Sequence, residues 1–136
     1  MKQAILIVCG EEYERLPFLV EQFDERFNVY IHIDKKVIVP QKLVEGLKAK
    51  TGIRWMNQSF ITNWGSMNLV NAILLLCEVA LTEEDNTHFH LISGADFPAA
   101  TNSEIIATCS SEKDNYIEFF PMPTPRWKEG GMNRLL

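Results

Sequence analysis

The sequence contains few cysteines. Cys9, Cys77 and Cys109 lie far apart in the chain, are odd in number, and none belongs to a CxxC pair. Disulfide-rich domains and structural zinc sites use paired, closely spaced cysteines, so this pattern argues against both. It is typical of a protein that works in a reducing compartment.

Long apolar runs are also missing. The longest, residues 69–81, is interrupted by Asn71 and Glu78 and is well short of the ~20 apolar residues that cross a bilayer. The apolar run near the N-terminus is too short for the core of a secretory signal, and its composition favours a strand. We therefore expect a cytoplasmic protein without a transmembrane segment; a peripheral position at the inner face of the membrane stays open.

Excess basic charge and the common catalytic motifs are absent too. The 13 Lys and Arg residues are outnumbered by 18 Asp and Glu, which argues against a nucleic-acid-binding surface. No GxGxxG or GxxxxGK[ST] loop follows a predicted strand, which argues against a Rossmann dehydrogenase and a P-loop NTPase. GxSxG, HExxH and DxD do not occur, so neither a hydrolase elbow nor a metal site is predicted.

Short apolar runs alternate along the chain with segments whose apolar residues recur at helical spacing. No repeat or Gly/Ser linker divides the 136 residues, and this length fits one domain with its own core. Strand–helix–strand alternation predicts an α/β fold, a mostly parallel sheet with helices on both faces. The predicted strands are residues 4–8, 28–34, 53–56, 88–93 and 115–120, and the predicted helices are residues 12–25, a short one opened by Pro40, residues 66–81, and one begun by a capping box at residues 101–104.

Polar residues follow the predicted strands at the places where a parallel sheet binds its ligands, beyond the carboxyl ends. Asp34 ends the second strand, and Asp96 follows the fourth after Ser93 and Gly94. Each carboxylate is either a turn-former or a ligand contact, and the pattern alone leaves both interpretations open. His32 lies on the same side of its strand as Asp34, but strand histidines are more often core or edge residues than metal ligands.

Two aromatic segments have both a structural and a functional interpretation. The helix of residues 66–81 is apolar around most of its circumference, so we expect it to pack deep, with Trp64 buried beside it. The alternative is a helix N-terminus that faces the ligand cleft and favours an anionic group. Near the C-terminus, Arg126 and Trp127 suit carbohydrate or phosphate recognition, and the alternative there is a solvated chain end.

Five segments together resemble the core-2/I-branching β-1,6-N-acetylglucosaminyltransferases, especially their bacterial members. They occur in the family's order and spacing over nearly the whole chain, as AILIVCGEEYERL, VYIHIDKK, ITNWGSMNLVNAILLLCEVAL, HFHLISGADFPAATNSEI and NYIEFF…PRWKEGGMNRL. The resemblance implies a glycosyltransferase-A type fold and a UDP-sugar donor, UDP-N-acetylglucosamine. It also implies inverting transfer to a carbohydrate hydroxyl, with no divalent metal or other cofactor.

The resemblance also implies site residues, position by position. Val8 and Asp34 stand where the family contacts the uridine and ribose of the donor. Asp96 stands where metal-using relatives carry their DxD motif. Glu118 and Arg126 correspond to acceptor contacts. The expected partners are therefore a nucleotide-sugar donor and a carbohydrate acceptor.

The family's domain is much longer than this chain. The resemblance therefore implies that residues 1–136 form the N-terminal, donor-binding portion of a glycosyltransferase domain. Inverting transfer needs a base that deprotonates the acceptor and cations that stabilise the departing UDP, and we expect both beyond Leu136. Alone, the chain is expected to bind nucleotide weakly, to be inactive, and to self-associate through uncovered apolar surface.

Two other functions stay open from the sequence. The first is a non-enzymatic α/β module that binds a nucleotide or another protein. The second is a different nucleotide-sugar enzyme of the same general fold that depends on a metal ion.

Overall fold

Four parallel strands form one sheet in the order β3-β2-β1-β4. The computed structural model describes residues 1–109, 115–117 and 119–134. The strands are β1 (Lys2–Cys9), β2 (Phe27–Ile33), β3 (Ile53–Asn57) and β4 (Asn86–Ser93), and each matches a predicted strand.

Helices cover both faces of the sheet, which confirms the predicted α/β class. They are α1 (Leu16–Val20), α2 (Gln41–Lys48), α3 (Met67–Leu81) and α4 (Asn102–Thr108), with short 3-10 segments at Glu11–Arg15 and Lys128–Arg134. The odd-numbered side chains of β1 and β2 pack against α1, α2 and α4. The even-numbered ones pack against α3.

The first helical connection contains less α-helix than the predicted residues 12–25. Pro17 has a fixed φ and no N–H, so it fits only the first turn of a helix. The α-helix therefore begins at Leu16, and the residues before it form a 3-10 helix. After Val20 the chain closes two tighter turns, in which N–H groups bond carbonyls three residues back.

Only one face of α3 is buried, so the prediction of deep packing is wrong. Ala72, Leu76 and Ala80 are fully buried against the sheet. The opposite face carries the exposed apolar residues Met67, Val70, Leu74 and Leu81. No other described residues cover this face. The apolar residues around the helix predicted burial on all sides, but burial requires a second packing partner that the described chain does not provide.

The predicted fifth strand is not formed in residues 115–117 and 119–120. Tyr116, Ile117 and Phe119 are exposed. Aromatic and β-branched residues stabilise a strand only where a neighbouring strand pairs with it. The described part of this segment has no such pairing, so strand propensity alone does not fold it.

Candidate functional site

Backbone hydrogen bonds bring the carboxyl ends of three strands together. The N–H of Asp34 donates to the carbonyl of Cys9 at 2.8 Å, and the N–H of Gly94 donates to the carbonyl of Val8 at 3.0 Å. Val8, Asp34 and the turn that carries Asp96 therefore lie at neighbouring strand ends. This is the edge at which parallel sheets bind ligands.

Asp34 is buried, with a side chain that is 2% exposed. Its Oδ1 accepts the N–H of Lys36 at 3.0 Å, its Oδ2 lies 3.5 Å from Lys36 Nζ, and Thr62 donates to it through both hydroxyl and N–H. Burial raises the pKa of this carboxyl, but the hydrogen bonds and the Lys36 charge outweigh burial and hold the pKa below its ordinary value. Asp34 is therefore ionised at neutral pH, accepts three hydrogen bonds and is paired with the Lys36 ammonium.

The β3–α3 loop, residues 58–66, is fastened to the end of β2. Gln58 Nε2 donates to the carbonyl of Asp34 at 3.2 Å. The N–H of Lys35 donates to the carbonyl of Phe60 at 2.9 Å. These hydrogen bonds join the β3–α3 loop to the turn after β2, and they fix the position of the loop beside Asp34.

His32 lies on the same side of β2 as Asp34 and is fully buried. Its Nε2 accepts the N–H of Phe60 at 3.1 Å, so the imidazole proton is on Nδ1. In the part of the chain that the structure describes, His32 Nδ1 and Asn57 Oδ1, at paired positions of β2 and β3, are the buried side-chain polar atoms without a hydrogen-bond partner. Burial lowers the pKa of His32, which keeps the ring neutral at pH 7.

Asp96 closes the turn after β4. Its carboxylate accepts the N–H of Ser93 at 2.6 Å, while Ser93 Oγ accepts the N–H of Ala95 at 3.3 Å. Because the Gly94 N–H points to β1, the Ser93 N–H points to the open edge of the sheet, and Asp96 satisfies it. Asp96 also borders an open hollow of about 450 Å³ lined by Arg15, Phe18, Leu19, Ala95, Asp96 and Phe97. Its geometry is that of a turn brace, and its contact with a ligand stays a prediction.

Gly94 allows the ends of β1 and β4 to approach closely. A Cβ atom at this position would lie 2.5 Å from Cys9 Sγ, too close for any real contact. Burial, and then the charge of Glu12, raise the pKa of Cys9 to about 12. The thiol is therefore protonated at neutral pH and is not a nucleophile at this site.

Trp64 is 93% exposed, so the prediction that it is buried is wrong. It lies in a turn closed by the Ser66 N–H and the Asn63 carbonyl, and Gly65 follows it with a φ of 71°. Ser66 then caps α3 by accepting the N–H of Leu69 at 3.4 Å. The turn directs the tryptophan ring into solvent, and α3 begins without packing against it.

The predicted acceptor residues lie in the C-terminal segment. The guanidinium carbon of Arg126 lies 5.1 Å from the centroid of the Phe120 ring, and Trp127 meets the same ring edge-on at 5.3 Å. Glu118 lies outside the described residues. Acceptor contact by either predicted residue therefore stays a prediction.

Neither a metal cluster nor a membrane-spanning helix occurs in residues 1–109, 115–117 and 119–134. No group of three His, Cys, Asp or Glu side chains there is arranged to hold a metal ion. None of the described helices combines the length and the apolar composition needed to cross a bilayer. Metal-independent transfer and a cytoplasmic location both stay predictions.

A family model described as "Core-2/I-Branching enzyme" matches residues 4–135. The chain belongs to this family. Enzymes of this family are glycosyltransferases. The parallel sheet with helices on both faces agrees with a glycosyltransferase-A type domain.

The similar curated proteins include Xylosyltransferase 2 of Homo sapiens and of Canis lupus familiaris, each 28% identical over 139 residues. Xylosyltransferase 2 of Rattus norvegicus is 27% identical over 137 residues. Each match covers 96% of this chain but 16% of the relative, so the chain spans a small part of the proteins it resembles.

Proposed function

We propose that this chain is the donor-binding portion of a glycosyltransferase that uses a UDP-sugar, with UDP-N-acetylglucosamine as donor. The complete enzyme would transfer the sugar to a carbohydrate hydroxyl, with inversion and without a metal ion. Membership of the Core-2/I-Branching enzyme family supports glycosyl transfer. The observation that carries the assignment of the site is the meeting of Val8, Asp34 and the Asp96 turn at one carboxyl edge.

Lys36 is the partner of Asp34 that a ligand can replace. Its Nζ lies 3.5 Å from Oδ2, and its side chain is 50% exposed. The other donors are the N–H groups of Lys36 and Thr62, which belong to backbone, and the Thr62 hydroxyl, which belongs to the fastened β3–α3 loop. Asn63 Oδ1 also accepts from this ammonium, at 3.2 Å. A ribose hydroxyl or a base N–H would take the place of the ammonium on Asp34, and the released Lys36 would meet the diphosphate.

The remaining predicted residues receive roles around this centre. Val8, half-buried at the end of β1, borders the nucleoside, and Asp96 lines the sugar side of the cleft or braces its turn. Trp64 offers an exposed flat ring to the bound nucleotide sugar. Glu118 and Arg126 contact the acceptor. The general base is assigned outside residues 1–136, so this chain is expected to bind and not to turn over.

Calorimetric titration with UDP tests the proposal. We expect Asp34→Asn to weaken UDP binding by about tenfold, as loss of one charge-assisted hydrogen bond implies. The control is Asp24→Asn, because Asp24 also forms hydrogen bonds, with Arg26, but precedes the amino end of β2. Equal affinity of the Asp34→Asn chain and the unaltered chain would remove Asp34 from the nucleoside site.

The donor and the metal are tested in the same titration. UDP-N-acetylglucosamine is compared with UDP-xylose, because the similar proteins are named xylosyltransferases. We expect UDP-N-acetylglucosamine to bind with the same affinity in the presence of a chelator and in the presence of Mn²⁺. A requirement for Mn²⁺ would favour a metal-dependent nucleotide-sugar enzyme, and failure of the unaltered chain to bind UDP would favour a module without nucleotide.

A further inference from the structure

We propose that His32 is a positioning residue of the nucleotide site, whose neutral imidazole fastens Phe60 and with it the β3–α3 loop that completes the surround of Asp34. The effect on nucleotide affinity rests on the proposed function. The attachment of the loop does not, and it can be measured without a ligand.

The contact between His32 and Phe60 is buried and specific. The imidazole is 0% exposed, its Nε2 accepts the Phe60 N–H at 3.1 Å, and the two rings stack with centroids 5.9 Å apart at 29°. Since a backbone N–H can only donate, Nε2 must lack a proton for this bond to form. Protonation of Nε2 would set two donors against each other in a buried position.

Phe60 transmits this contact to Asp34. Its N–H bonds His32, and its carbonyl accepts the N–H of Lys35 at 2.9 Å, so one loop residue is held to β2 and to the turn after it. Thr62, two residues further along the loop, donates twice to Asp34. Loss of the imidazole acceptor therefore loosens the same stretch of backbone that places the Thr62 donors.

The surroundings of His32 favour the neutral ring. Asp34, which directly follows β2, is the charged group that acts on it, and this carboxylate is already paired with Lys36. Its neighbours across the sheet are Val8 on β1 and Asn57 on β3, which are uncharged, as is the Phe60 ring that stacks on it. Burial lowers the pKa of the imidazole, so the loop is attached at neutral pH and is released only as pH falls through a value below about 6.5.

Two substitutions separate the hydrogen bond from the packing of the ring. His32→Gln supplies an amide oxygen that accepts a hydrogen bond and does not titrate, whereas His32→Leu fills the space without an acceptor. The control is His90→Gln, because His90 is a half-buried histidine that bonds Gln3 at 2.8 Å on the opposite face of the sheet. The first measurement is amide exchange protection of Phe60 in the unliganded chain, and the second is UDP titration.

We expect Phe60 protection and UDP affinity each to fall about tenfold in His32→Leu, while both stay within about twofold in His32→Gln and His90→Gln. In the unaltered chain, Phe60 protection should hold at neutral pH and fall only as pH drops below about 6.5, and this dependence should vanish in His32→Gln. Unchanged protection in His32→Leu, or a pH dependence that persists in His32→Gln, overturns the positioning role. If His32→Leu does not fold, the pH comparison with His32→Gln decides. If Phe60 protection follows the expected pattern but the unaltered chain does not bind UDP, the attachment of the loop stands and the proposed function is overturned.

Discussion

Asp34→Asn measures how far the loop attachment depends on one buried charge. Asparagine keeps an oxygen for the N–H of Lys36 but presents an amide group to the donors of Thr62 and to the Lys36 ammonium. Hydrogen bonds to a charged group contribute ~1.5–3 kcal/mol each, while the half-exposed ammonium contributes less than 1 kcal/mol, about the value of a surface pair. Because the two Thr62 hydrogen bonds lose their charged acceptor, we expect the free energy of unfolding at neutral pH to fall by about 3 kcal/mol or more.

The pH dependence of this difference tests the reasoning. The pKa of Asp34 is lowered in the folded chain, so its ionised form stabilises the fold above the unfolded value of about 3.9. This contribution is lost as pH falls through the folded pKa, and asparagine does not titrate. Urea unfolding of both chains, at steps from about pH 7 to about pH 2.5, should show the difference shrinking in the acid range. A difference of the same size at both ends would mean that packing and not charge was lost, and would refute the argument.

Three other outcomes are expected. Trp64→Ala should leave the free energy of unfolding within ~0.5 kcal/mol of the original, because the ring is 93% exposed. It should weaken nucleotide-sugar binding in calorimetry, and unchanged affinity would place Trp64 outside the site. Leu76→Ala should lower the free energy of unfolding by about 3 kcal/mol in urea, and a loss below ~1 kcal/mol would contradict the packing of α3 on the sheet. The unaltered chain should bind a hydrophobic dye and self-associate in light scattering, and Leu74→Lys on the exposed face of α3 should reduce both without lowering stability; a monomer that binds no dye would contradict this.

The sheet was predictable because its strands are marked by their own composition. Residues 4–8 are continuously apolar, as expected for a parallel strand covered on both faces. Short-range chemistry marks the start of α4 equally well: Thr101 Oγ1 accepts the N–H of Glu104 at 3.3 Å, and Glu104 Oε2 accepts the N–H of Thr101 at 2.8 Å. Residues 115–120 and the outer face of α3 were misjudged because their packing depends on partners that local sequence does not specify.

The sequence predicted which residues meet at the carboxyl edge of the sheet, but not the hydrogen bonds that they make there. The strand-end rule pointed to Asp34 and the Asp96 turn, and the family resemblance added Val8; backbone hydrogen bonds show that all three lie at neighbouring strand ends. The rule could not show that Asp34 already accepts from Thr62, because Thr62 arrives from a loop far along the chain. The sequence placed His32 on the same side as Asp34. It did not indicate the contact of His32 with Phe60, because Phe60 also arrives from that loop.

The number of donors around Asp34 sets the order of events expected at the site. A carboxylate has about four lone-pair positions; here Lys36 N–H and Thr62 fill three with hydrogen bonds, and the Lys36 ammonium lies against Oδ2 at 3.5 Å. Under the proposed function, a nucleoside group would therefore reach Asp34 only as the Lys36 ammonium leaves it. Uridine would leave that ammonium without an anionic partner, whereas UDP would supply one. UDP should accordingly bind more tightly than uridine, and Lys36→Met should remove most of the difference.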